Sequence, residues 1–141
     1  MIFQKGREFD MAGELDPRAA GAKRFKDKVC IITGSGQGIG RATAKRMGEE
    51  GGTIVVADRV DESGTRTVSE LQKNGVEALK VLADVGTFGG AEALMAEAVK
   101  EYGRIDVLVN NVGGTIWAQP YHKYTEEQVI LELERTMYPT L

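Results

Sequence analysis

Val29-Cys30-Ile31-Ile32-Thr33-Gly34-Ser35-Gly36-Gln37-Gly38-Ile39-Gly40-Arg41-Ala42-Thr43-Ala44 decides how the rest of the chain is read. A short apolar run enters the glycines, and a segment of helical character leaves them. A strand that turns through glycines onto a helix start makes a diphosphate site. The backbone can approach the ligand there, and the free N–H groups and dipole of the helix start face its negative charge. The spacing selects one version of the motif. A strict G-x-G-x-x-G from Gly34 would need Gly or Ala at position 39, where Ile39 stands; T-G-x-x-x-G-x-G over Thr33, Gly34, Gly38 and Gly40 fits throughout. Gly34, Ser35, Gln37, Gly38, Ile39 and Gly40 are therefore the first candidate binding residues.

Downstream the chain alternates between β-branched runs and helical periodicity. The pattern predicts a first strand over Lys28–Thr33 and a helix to Glu50, stopped by Gly51-Gly52. Thr53–Asp58 reads as a second strand, Glu62–Lys73 as a helix closed by Asn74-Gly75, and Val76–Leu82 as a third strand. Thr87 is placed to cap a helix carrying Ala91, Leu94, Met95, Ala98 and Val99 on one face, and Gly103 closes it. Ile105–Val109 reads as the fourth strand, and Thr125-Glu126-Glu127-Gln128 as a capping box for a helix that Pro139 bends or ends. Strands alternating with helices imply right-handed crossovers and an α/β fold, a parallel sheet covered on both faces.

The 141 residues suit one domain, and 42% hydrophobic with 28% charged residues are ordinary for a globular protein. A net charge of −3 offers no basic footprint for nucleic acid, and no apolar run approaches a membrane span. One cysteine, Cys30, excludes an intrachain disulfide; it reads as a small core residue in a reduced, cytoplasmic setting. Residues 1–26 read as a flexible tail before a binding domain over 27–141. That tail lacks the apolar core and cleavage site of a signal peptide, holds Asp16-Pro17, and includes Met11 as an alternative start. Lys23, Arg24, Lys26 and Lys28 form a solvated basic lead-in. No metal-ligand cluster is expected.

Further candidates fall where a dinucleotide site needs them. Asp58 ends the second strand about 20 residues beyond the glycines, where a carboxylate accepts the adenosine ribose hydroxyls and repels a 2′-phosphate. Arg59 beside it could meet such a phosphate, but Ser35, Gly36 and Gln37 supply no second cation, so the pattern favours NAD over NADP. Asp84 and Val85, after the third strand, are placed for the adenine. Asn111 and Gly113, with Asn110, follow the fourth strand on the nicotinamide side. An asparagine there can tie loop to strand and reach the ribose, with a purely structural part assigned to Asn110 before Asn111.

Thr33-Gly34-x-x-x-Gly38-Ile39-Gly40, Asp58, Asp84-Val85 and Asn110-Asn111-x-Gly113 together resemble the short-chain dehydrogenase/reductase family over residues 28–141. The resemblance implies an α/β, Rossmann-type doubly wound parallel sheet, here in order 3-2-1-4 and truncated after about four strands, with nicotinamide-dependent oxidation of alcohols or reduction of carbonyls by a homo-oligomer. A narrower likeness, in Asn111–Tyr121 and Arg135–Leu141, is to a branch that oxidises a ring cis-diol bearing a carboxylate to a catechol with loss of CO2. On that likeness Trp117 and Tyr121 are substrate-side candidates that stack on a cyclic diol, with His122 or Lys123 meeting its carboxylate. An ordinary alcohol or 3-oxoacyl reductase, and a non-catalytic dinucleotide-binding module, are the competing readings.

The departures are as informative. The family's Tyr-x-x-x-Lys pair is absent: Asp106, Thr125 and Gln128 stand four residues after Tyr102, Tyr121 and Tyr124. The orienting serine is absent too, and the family's helix asparagine position falls on Thr136, so no catalytic residue is assigned. The expectation is a chain that stops before the catalytic half, with the fourth strand as an open edge, marginal by itself and catalytically silent.

Overall fold

The structure, a computed structural model, describes residues 21–140. The readings made for Met11, Asp16-Pro17 and the rest of residues 1–20 lie outside the described residues. Four parallel strands form one sheet: β1 (Val29–Thr33), β2 (Thr53–Asp58), β3 (Ala78–Leu82) and β4 (Val107–Val109), in order β3-β2-β1-β4. The helices are α1 (Gly38–Glu49), α2 (Asp61–Lys73), α3 (Phe88–Tyr102) and α4 (Glu126–Thr136), with short 3₁₀ turns at Tyr121–Lys123 and Tyr138–Thr140. The parallel sheet follows from the alternating pattern, and its order is the doubly wound Rossmann-type one that the family resemblance implies.

The continuous apolar runs are explained by burial on both faces of the sheet. Val29 and Ile31 of β1 and Val55 and Ala57 of β2 point to one side, against Leu94 and Ala98 of α3. Cys30, Ile32, Ile54 and Val56 point to the other, against Ala44 and Met47 of α1 and Leu71 of α2. The Cys30 thiol is fully buried there, and burial pushes it up to about 11, which suits a core residue and not a redox group. The strands at the two edges of the sheet are shorter than their apolar runs suggest. β3 begins at Ala78 rather than Val76, and β4 at Val107 rather than Ile105. Val76 instead packs beneath α1, and Ile105 packs beside the α3 cluster.

Helix boundaries follow local chemistry. Thr87 Oγ1 accepts from the Gly90 N–H at 3.1 Å, and Gly103 closes α3 in a left-handed conformation. Thr125 and Gln128 form the reciprocal capping box of α4. Among the described residues no helix is long and apolar enough to cross a membrane.

The packed unit starts before residue 27. The Phe25 N–H donates to the Glu50 carbonyl at 3.2 Å, and the Phe25 ring packs against the α1–α2 core. Arg24 is an anchor rather than part of a solvated lead-in: it pairs through its guanidinium with Glu50, which Arg46 also meets at 2.5 Å. The Glu50 residue is only 2% exposed, and the hydrogen bonds from Arg24, then Arg46, bring its carboxyl from 4.5 down to about 2. A depressed folded-state value contributes stability above the unfolded value that is lost as pH falls. Urea titrations across a pH series should therefore show wild-type stability falling between pH 4.5 and about 2. Glu50→Gln should lower the midpoint at pH 7 and flatten that acid limb.

Candidate functional site

All four strands point their carboxyl ends at one crevice. β1 ends there in Thr33 and Gly34, β2 in Asp58, β3 in Ala83-Asp84, and β4 in Asn110-Asn111. The chain passes from β1 outward to β2 and β3, then returns to place β4 on β1's other side. Open α/β sheets bind ligands at such a switch point. The crevice has a volume of about 820 Å3.

The glycine turn fits because two side chains are missing. A Cβ on Gly40 would lie 2.4 Å from the Gly34 carbonyl oxygen, so any larger residue would lift α1 off the turn. A Cβ on Gly36 would lie 2.7 Å from Asp58 Oδ2 and 2.3 Å from Ser63 Oγ, so glycine lets the turn reach the β2 carboxylate. The Gly36 N–H donates to Asp58 Oδ2 at 2.8 Å, and Thr67 of α2 donates to the Gly36 carbonyl at 3.2 Å. Asp58 Oδ1 accepts from the Val60 N–H at 2.9 Å, so both oxygens are oriented by backbone at the crevice wall.

The start of α1 is left open. Gln37 stands at its cap position without a side-chain hydrogen bond, and the first turn holds no acidic residue. Of the four described helices, α1 alone has neither: α3 and α4 are capped by threonine, and α2 begins with Asp61-Glu62. The unpaired amides of that turn therefore carry positive potential toward the crevice, compensated by no side chain of their own helix.

Gly34, Gln37, Gly38, Ile39, Asp58, Arg59, Asp84, Val85, Asn111 and Gly113 all line this space. Ile39 is 80% exposed over it. Ser35 stands apart: its buried hydroxyl donates to the Ile32 carbonyl at 2.7 Å and its N–H to the Ala57 carbonyl at 3.2 Å, so it braces the turn from inside. Gly40 supports the turn by close approach. The Asn111 amide group donates to the Thr33 carbonyl at 2.9 Å, so Asn111 itself ties loop to strand, the part assigned from sequence to Asn110 first.

Trp117 and Tyr121 do not line the crevice. Trp117 meets the Tyr124 ring edge-on at 6.5 Å between centroids, and Tyr121 stacks on Tyr124 at 6.1 Å while staying 78% exposed. His122 and Lys123 are exposed on the adjoining 3₁₀ turn. The wall expected from those side chains is built by Ile116, Leu131, Glu134, Arg135 and Pro139. Thr136 packs beneath Gly113: a Cβ there would lie 3.9 Å from Thr136 Cα. Sequence reasoning also missed Glu132, whose Oε1 accepts from the Ile116 N–H at 2.8 Å and the Trp117 N–H at 2.9 Å. These donors, with the Thr115 hydroxyl, hold its carboxyl below the usual range. The sequence carries no signal for this, because Glu132 is one of several exposed-looking acids along α4.

The chain belongs to the short-chain dehydrogenase family, whose pattern matches residues 28–137. Among named relatives, it is 45% identical over 119 residues to the 1,6-dihydroxycyclohexa-2,4-diene-1-carboxylate dehydrogenase of Acinetobacter baylyi, covering 84% of this chain and 45% of that one. It is 43% identical to the enzyme of the same name from Pseudomonas putida, covering 84% and 44%. A short chain dehydrogenase structure from Mycobacterium smegmatis superimposes with a TM-score of 0.78 at 32% identity, over 84% of this chain and 50% of that chain. A 7α-hydroxysteroid dehydrogenase complexed with NADH superimposes with a TM-score of 0.76 at 27% identity, over 89% and 48%. The chain thus spans about half the length of the relatives it matches.

Gly40→Ala tests the close-approach argument. Overpacking against the Gly34 carbonyl should cost about 1–3 kcal/mol, seen as a fall of several degrees in Tm by calorimetry. An equivalent change at Gly75, where no atom lies within 4 Å but φ is +74°, probes backbone strain alone and leaves the turn intact.

Proposed function

We propose that this chain is the cofactor-binding part of an NAD-dependent short-chain dehydrogenase that oxidises a ring cis-diol bearing a carboxylate, 1,6-dihydroxycyclohexa-2,4-diene-1-carboxylate, to a catechol with loss of CO2. The observation that carries the cofactor half is the uncapped start of α1 facing the crevice, with the Asp58 carboxylate held across from it. In this reading the amides of Gly38 and Ile39 would hold the pyrophosphate. Asp58 and Arg59 with Asp84-Val85 would hold the adenosine, and Asn111 and Gly113 the nicotinamide half. A carboxylate fixed by two backbone amides accepts the ribose hydroxyls and opposes a 2′-phosphate. Arg59 then flanks the adenosine instead of pairing with a phosphate.

Bound NAD supplies the hydride acceptor for the alcohol. Oxidising the secondary hydroxyl beside the carboxylate-bearing carbon leaves a β-oxo acid, which loses CO2 and becomes aromatic. This chain's own residues bind and orient; no Tyr-x-x-x-Lys is present to take the alcohol proton, so the 141 residues alone are proposed to be silent. The diol substrate rests on the two cis-diol dehydrogenase relatives, over the half of their length that is matched. A cytoplasmic homo-oligomer completes the reading. It is supported by the unpaired, buried Cys30 and by the exposed apolar side chains Ile130, Leu131, Leu133 and Met137 along α4.

Calorimetric titration of the 141-residue chain should give NAD+ binding at least about tenfold tighter than NADP+, with no NADH formed from the diol. Asp58→Ala should bring the two affinities within about threefold of each other. Tighter NADP+ binding by the wild type overturns the Asp58 argument. In the whole enzyme, diol-dependent NADH absorbance should appear together with catechol.

A further inference from the structure

The part of the crevice wall contributed by the Gly113–Trp117 segment has almost no secondary structure to hold it. Gly113 and Gly114 sit at φ +158° and +126°, and the segment forms no strand pairing among the described residues. Several of its polar groups converge instead on one carboxylate oxygen. Glu132 Oε1, on α4, accepts from the Ile116 N–H at 2.8 Å and the Trp117 N–H at 2.9 Å. The Thr115 hydroxyl lies 2.9 Å from that same oxygen, and the Tyr124 hydroxyl 3.3 Å from it. Tyr124 donates to the Trp117 carbonyl, so the turn is held on both sides of residue Trp117. Glu132 itself lines no part of the crevice, whereas Ile116, next to the gripped peptides, does.

A carboxylate receiving several backbone and hydroxyl donors is the strong, geometrically specific kind of hydrogen bonding, and leaving those donors unpaired is costly. We infer that Glu132 is a positioning residue: it fixes the Gly113–Trp117 segment so that Ile116 and Gly113 form the wall against the nicotinamide half of a bound dinucleotide. This rests on the reading of the crevice given under Proposed function, and it extends that reading to a residue that touches neither cofactor nor substrate. Asp58, Arg59, Asp84 and Val85 line the crevice from β2 and β3, which Glu132 does not contact. The two halves of the ligand should therefore respond differently when the clasp is cut.

Trp117 is the chain's one tryptophan and sits in the clasp, half-buried, so its emission reports the clasp directly. The experiment uses the full 141-residue chain with Glu132→Ala and Glu132→Gln, titrated with NAD+ and with AMP. Glu132→Ala should weaken NAD+ binding by about tenfold, leave AMP binding unchanged, and shift Trp117 emission to the red. Glu132→Gln should restore most of both, because every contact is made to Oε1, which an amide oxygen replaces. AMP binding serves as the check that each variant is folded. The inference is overturned if NAD+ and AMP weaken together, if neither changes, or if Glu132→Gln behaves as Glu132→Ala does. A wild type that binds neither nucleotide overturns the dinucleotide reading and the positioning of its nicotinamide half with it, while an unshifted emission in Glu132→Ala overturns the clasp alone.

Discussion

The crevice depends on how the buried Thr33 side chain closes the gap between β1 and β4. Its hydroxyl accepts from the N–H groups of Asn111 at 2.9 Å and Val112 at 3.2 Å, and donates toward the Val109 carbonyl at 3.4 Å. The Asn111 amide answers by donating to the Thr33 carbonyl. Each polar group at this junction is thus paired where the two strands part, which is what allows a sheet to open into a cleft without leaving buried backbone unsatisfied. β4 makes only three residue pairs with β1, so this cluster carries much of the job of fixing where the Asn111–Gly113 loop leaves the sheet. A hydroxyl with one donor and two acceptor positions is fully used here; valine at the same place would keep the volume and strand two N–H groups.

From that junction the cleft divides into two ends built differently. Toward β2 and β3 the walls are strand ends, and the key carboxylate is aimed by the Gly36 and Val60 amides. The glycine turn, α2 and Asp58 interlock there through Gly36, which is close enough to both Asp58 and Ser63 that a methyl group would collide. Toward β4 the walls are a loop and the far end of α4, joined by side-chain hydrogen bonds to backbone. Electrostatics reinforces the division. One side presents an oriented anion, the middle presents the bare amides of α1, and the other side presents Glu134 and Arg135 in near balance.

The first of these ends was legible in the sequence; of the second, Asn111, Gly113 and the cap of α4 were legible, and the side chains of the remaining wall were not. The T-G-x-x-x-G-x-G spacing, the caps at Thr87 and Thr125, and the placement of Asp58 at the end of β2 are backbone requirements, and backbone requirements select residue types at fixed offsets. Burial on both faces likewise leaves a continuous apolar run that names its strand. Trp117 and Tyr121 failed as crevice residues for the opposite reason. Residues 110–124 have no periodicity, and an aromatic ring there finds whichever neighbour the loop brings, in this case Tyr124. Glu132 was invisible because its role is set by where α4 docks, not by its spacing from any motif. Arg24 looked like one cation of a basic lead-in until the fold brought Glu50 beneath it.

Burial is also unevenly spread along the cleft. All five residues of β1 are buried, as are the central four of β2, whereas β4 and α4 contribute no fully buried residue. Segments with few buried apolar contacts open with a smaller free energy than the core they lean on. The β4–α4 side should therefore visit detached states while the β1–β2 side stays closed. A two-part ligand would then be gripped in sequence: its first half finds a finished surface, and its second half spends part of its binding energy on ordering the surface it meets.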